Sequence, residues 1–233
     1  MNWSKAGNLK FVGLMNGYLN SFEPVRPMVC ERPYNPKVPE IKRPEWTRVP
    51  AEGHLEWVEQ RSLITTPLTW RLGKSEEQIK KIEGYREQHI AKNRQLAIEG
   101  KIEFYTTHIN LDNHGGRDYV LRYHITPEGG GCEESNEYSQ SGSRSPDNLF
   151  YIGEDGQLDT VKSRGLGSMY GVFVFDGRTF LDHWGTISTW TGGRGPHTYK
   201  PGKGGGITIY EPHPNDTTDG TWIKNVCEIG YRK

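Results

Sequence analysis

Cysteine is scarce in this chain and poorly placed for any framework. Cys30, Cys132 and Cys227 are too few and too scattered for a disulfide scaffold or a zinc ribbon. The odd count fits a reducing intracellular compartment, or a virus particle assembled there, better than classical secretion. No stretch approaches the roughly 18 consecutive apolar residues of a membrane-spanning helix. No small-residue cleavage site follows "FVGLM", the one apolar run near the start, so a secretory leader is not expected. No Arg precedes Arg26, so neither is a mitochondrial presequence. Net charge is also missing: 29 Lys and Arg balance 29 Asp and Glu, which leaves no bulk attraction to nucleic acid.

What the chain does hold is divided near residue 100. Asp is absent from the first hundred residues, and 22 of the 29 glycines lie beyond them. Asp and Gly are turn formers, so the second part reads as strands joined by tight turns and the first as something else. Seven Trp and 12 Tyr give that second part a core to bury.

The first part opens on "WSKAGNLKFVGLMNGYLNSF", with Trp3, Phe11, Leu14, Met15, Tyr18 and Phe22 at helical spacing. Gly7, Gly13 and Gly17 weaken that helix, each by about 1 kcal/mol relative to Ala. A segment this marginal needs a surface to fold against, so residues 3–22 are candidates for contact with a neighbour or a membrane face. Seven prolines then crowd residues 23–50 and forbid helix there. A plain tether would be polar, yet this strip carries Val25, Met28, Val29, Tyr34, Val38, Ile41, Trp46 and Val49. Apolar side chains strung along an extended segment fill successive pockets on another surface, so these eight are the expected partner-binding residues.

Residues 75–99 predict one helix. "SEEQ" is a capping box, Ile79, Ile82, Tyr85 or Arg86, Ile90 and Ala97 form one stripe, and Gly100 stands at the C′ position. The bland reading of such a stripe is a helix packed on a sheet. From residue 101 the alternation becomes two-fold. "IEFYTTHINL" and "DYVLRYHIT" are strands, the second with Tyr119, Leu121, Tyr123 and Ile125 on one face. "MYGVFVFDGRTFLDHWGTISTW" is a hairpin turned at Asp176-Gly177, and "GGITIYEP" and "TWIKNVCEIGYR" close the set. The expected fold is mainly β: an antiparallel β-sandwich or barrel with one packed α-helix and an extended Pro-rich N-terminal arm. Residues 1–74 form the amphipathic segment and arm, and residues 75–233 the helix and β-rich globular domain. Two long loops, at 127–148 and 191–206, are candidate contact surfaces.

"HINLDNHGGRD", from His108 to Asp118, is the most enzyme-like stretch. His108, Asp112 and His114 are suitable ligands for zinc or iron and lie close enough in sequence to meet; the alternative is a hairpin turn with polar decoration. "HINLDNHGG" resembles the first motif of the HNH endonucleases, and Asn148 in "PDNL" resembles their later asparagine. That resemblance covers about a dozen residues and implies a metal-dependent hydrolase or nuclease. It departs from the family in two ways: about thirty residues separate the two pieces, and "FYIGEDGQLDTVKSRG" offers no closing helix with a histidine.

"TGGRGPHTYKPGKGGG" fails the phosphate-loop pattern, although Arg194, Lys200 and Lys203 could hold an anion weakly. Trp184, Trp190, Trp222 and Tyr210 are either core or a stacking platform for a glycan. Asp182 and His183 have no nucleophile elbow to complete a triad. Together these features predict a non-catalytic structural or assembly subunit that needs no cofactor. Its expected partners are protein subunits, copies of itself among them, in a virion, filament or organellar machine.

Overall fold

The computed structural model describes residues 41–65, 73–125, 147–164, 166, 171–186, 204–214 and 222–232. It gives the backbone alone at Leu63, Thr65, Asp147, 183–186, 204–207, Trp222 and 227–232. Nine strands form two antiparallel sheets. The five-stranded sheet runs β1 (Ile41–Lys42), β6 (Gly171–Phe175), β7 (Arg178–Thr186), β8 (Gly204–His213) and β9 (Trp222–Arg232). The four-stranded sheet runs β2 (Thr47–Val49), β3 (Ile102–Ile109), β4 (Asp118–Ile125) and β5 (Asp147–Ile152). The described residues also form two helices, α1 (Glu56–Thr65) and α2 (Glu76–Ile98).

The period-two pattern of β4 explains the layering. Tyr119, Leu121, Tyr123 and Ile125 face one side, joined by Phe104 and Ile102 of β3 and Phe150 and Ile152 of β5. Trp57, Val58 and Ile64 of α1 and Leu96 and Ala97 of α2 cover that side. The alternate residues Val120, Leu149 and Tyr151 face the other way, onto Val172, Leu181, Tyr210 and Ile223 of the five-stranded sheet. The order is helix, sheet, sheet. Each large side chain so removed from water contributes roughly 1.5–3 kcal/mol.

Local chemistry fixes the element ends. Ser75 Oγ accepts from Gln78 N at 3.3 Å while Ser75 N donates to Gln78 Oε1 at 3.0 Å, the reciprocal capping box. At the other end Lys101 N donates to Leu96 O and Gly100 N to Ala97 O, a Schellman closure that needs the positive φ of 72° at Gly100. Asp176 and Gly177 both take positive φ in the β6–β7 turn, as a two-residue hairpin of the primed type requires.

The expected mainly β, antiparallel class is what the structure shows, and three details differ. First, the sequence pattern predicts an arm through residue 74, yet residues 41–65 supply an edge strand to each sheet and a second helix, so the body already includes them. Trp57 explains why α1 forms there: its indole is 1% exposed, donates to Gly156 O at 3.0 Å and meets Phe104 edge-on. Second, "DNLFYI" is the strand β5, missed because its apolar run reads as the rim of a long loop. Third, α2 reaches the sheet chiefly through Leu96 and Ala97, and further back it lies along α1. There Arg86 Nε donates to Ser62 Oγ at 3.0 Å and Arg94 pairs with Glu59. Of the two stripe alternatives Arg86 faces in, whereas Tyr85 is 60% exposed.

Candidate functional site

The stretch from His108 to Asp118 spans the end of β3, the connecting loop 110–117 and the first residue of β4, and one of its polar groups ties the two sheets together. Asn113, at a φ of 60°, sends its amide across to β7. Its Nδ2 donates to Thr179 O at 2.9 Å, and its Oδ1 accepts from Thr179 N at 2.6 Å. One side chain thereby satisfies both backbone groups of a strand residue, as a neighbouring strand would. Thr179 Oγ1 returns a hydrogen bond to Asn110 O.

The aspartates serve the same turn. Asp112, 4% exposed, accepts from His114 N, and Asp118 accepts from Leu111 N. Lys162 joins them, with Nζ 2.5 Å from Asp118 Oδ1 and 3.4 Å from Asp112 Oδ2, over the Tyr151 ring at 4.3 Å. Burial alone would lower the Lys162 ammonium; the hydrogen bond and charge of Asp118, with those of Asp112, reverse this and raise it.

The three residues weighed as metal ligands are therefore not brought together. His108 is exposed and stacks on Tyr119, its cross-strand partner, with ring centres 4.5 Å apart. His114 is exposed, and Asp112 is committed to Lys162. Among the described residues no three His, Cys, Asp or Glu side chains could hold a metal ion. Asn148, the other half of the endonuclease resemblance, pairs with Tyr123 near the far end of β4 and accepts from Arg61. The motif's pieces thus sit at opposite ends of one sheet.

Of the arm residues, Ile41 is fully buried opposite Phe175. Trp46 packs against the core between the sheets, and Val49 packs against the helix-side core. All three pack against this chain's own cores, Ile41 completely and Trp46 and Val49 in part. Val25, Met28, Val29, Tyr34 and Val38 lie outside the described residues, as do Trp190, Arg194, Lys200 and Lys203. So do residues 3–22 and most of both long loops. Tyr210 packs against the inter-sheet core, while Trp184 lies on β7 and Trp222 on β9.

Two basic groups escaped the sequence reading. Arg61 lies over the Tyr123 ring at 4.8 Å, and burial pushes its guanidinium down. Burial also lowers His89, with the charges of Arg61 and Lys92 adding to the effect. Tyr123 is pushed up to about 12 by burial, against the pull of Arg61. Arg122 lies against both Trp46 and Tyr105, 5.1 and 4.6 Å from their ring centres. Beside it Tyr105 Oη donates to Glu103 at 2.9 Å, and Glu103 pairs with Arg48 at 2.8 Å. An arginine inside an otherwise apolar strand, "YVLRYHI", was the available signal. Among the described residues no helix is long and apolar enough to cross a membrane. Compared with family models, curated proteins and solved structures, the chain matches none.

Proposed function

We propose that this chain is a non-catalytic structural or assembly subunit of a large complex, whose N-terminal arm docks on neighbouring subunits. A virus or phage particle, a filament and an organellar machine are the settings that suit such an arm. One observation carries the reading: the arm is rooted at sheet edges. β1 is the edge of one sheet and β2 the edge of the other, so Ile41, the first described residue, lies on a sheet border. Val25, Met28, Val29, Tyr34 and Val38 stand just upstream of that root, at a spacing suited to shallow pockets on another surface. The use of Asn113 in fastening the sheets, and of Asp112 and Asp118 in bracing the β3–β4 turn, also supports a structural reading over the metal-dependent one.

The test compares the full-length chain with a Met28→Asp/Val29→Asp variant by mass photometry and limited proteolysis. The expected result is a wild-type particle or complex well above the 26.6 kDa of one chain, with residues 23–40 protected, and a variant that is monomeric and cut there. A wild-type chain that stays monomeric, binds no protein and is cut in that strip as fast as the variant refutes the reading.

A further inference from the structure

Arg122 rests against two aromatic rings, and among the described residues no carboxylate pairs with it. Its guanidinium carbon lies 5.1 Å from the ring centre of Trp46 and 4.6 Å from that of Tyr105. Its Nε is closed off from solvent with no hydrogen-bond partner. Among the described residues no carboxylate pairs with its terminal nitrogens, which are the part of the group left to meet solvent. A surface arginine ordinarily loses rotamer freedom when it grips a ligand, a cost that contact with two rings reduces here.

The geometry points to a carboxylate-binding site at Arg122, in the slot it forms with Trp46 and Tyr105. A guanidinium fork takes a carboxylate through two parallel N–H···O bonds, and with Nε closed off the two terminal nitrogens are the donors free to make them. The surrounding charge selects a monoanion. Arg48 and Glu103 cancel each other 2.8 Å apart, so Arg122 contributes a single positive charge, and Glu103 would repel a phosphate dianion. Position supports the assignment as well. Trp46 belongs to the segment joining β1 to β2, and Tyr105 and Arg122 are register partners on β3 and β4, so the slot is built from three separate parts of the chain. The site stands apart from the assembly reading, since a free carboxylic acid and an acidic peptide side chain present the same group.

The test is a titration of the full-length protein with acetate and, separately, with N-acetylglutamate α-amide, at ionic strength held constant with chloride. It is followed by the Arg122 Nε–H resonance and by tryptophan fluorescence. The expected result is a saturable movement of that resonance at millimolar ligand. Arg122→Lys, which keeps the charge and loses the fork, should weaken it by about tenfold or more. A tighter response to the glutamate mimic assigns the site to peptide side chains, and an equal one to free small acids. An Nε–H that does not move with either compound in the wild-type protein overturns the proposal, as does an Arg122→Lys variant that binds equally well. The wild-type titration decides the matter even if the variant fails to fold.

Discussion

The two faces of the four-stranded sheet are filled by different kinds of side chain. Toward the helices the core is aromatic, with Trp57, Phe104, Tyr123 and Phe150 in edge-on or tilted contact. Toward the other sheet it is largely aliphatic, with Leu111, Val120, Leu149, Leu166, Val172 and Leu181. Helices resting on a sheet leave deep, uneven gaps that large rings can fill. Two sheets about 10 Å apart need smaller, interdigitating groups. The two layers are also fastened differently: across the aliphatic seam Asn113 pairs with the backbone of Thr179, whereas across the aromatic layer the side chains of α1 reach the sheet side, Trp57 to Gly156 O and Arg61 to Asn148. Apolar packing is non-directional and would let two sheets slide, whereas a paired backbone donor and acceptor fixes their register.

The contrast can be broken at its core first. Phe104→Ala should cost about 3–5 kcal/mol and Leu181→Ala about 2–5 kcal/mol, read by urea denaturation. The aromatic site should show the larger loss because it leaves the larger cavity. Next comes the fastener. Asn113→Ala should cost about 2–3 kcal/mol, from two lost hydrogen bonds and the stranded Thr179 groups. Asn113→Gly relieves the positive φ but should lose the same bonds, so a Gly variant as stable as wild type would show that backbone conformation alone matters there. Ser75→Ala, which removes a cap from the helical layer only, should cost about 1 kcal/mol.

Lys162 provides a pH test of the same seam. Its ammonium is raised in the folded state, so its stabilisation is fully present below the usual lysine range near 10.5. It is lost as pH climbs through the raised value. At 37% side-chain exposure the effect should stay below about 1 kcal/mol, and a Lys162→Met variant should flatten the fall in stability between pH 10 and 12. Tyr123→Phe should matter least. Its hydroxyl is buried without a hydrogen-bond partner, so removal should change stability by less than about 0.5 kcal/mol in either direction, checked by thermal melts.

Strands with strict alternation, β3 and β4, and the turn at Asp176-Gly177 were legible because short-range chemistry dictates them. The same holds for the capped helix α2. What sequence pattern could not supply was long-range pairing. Residues 41–49 look like linker because their strands are two and three residues long and gain meaning only from β6 and β3. α1 escaped notice for a related reason: among its described side chains only Trp57 and Val58 belong to the buried core cluster, too little to produce a periodic stripe. At His108–Asp118 the residue types suited two chemistries. The choice between them rested on Thr179 and Lys162, which lie too far along the chain for any local pattern to connect.

The entry of the chain into its body through β1 and then β2 has a mechanical meaning. Tension arriving from upstream of Ile41 first meets a strand of two residues, a weak link that can unzip from β6 at small cost. Behind it Trp46, gripped by Arg122, and the three residues of β2 act as a second and firmer catch. A load on that end would therefore be absorbed in two steps, the outer one sacrificial, before either sheet began to open.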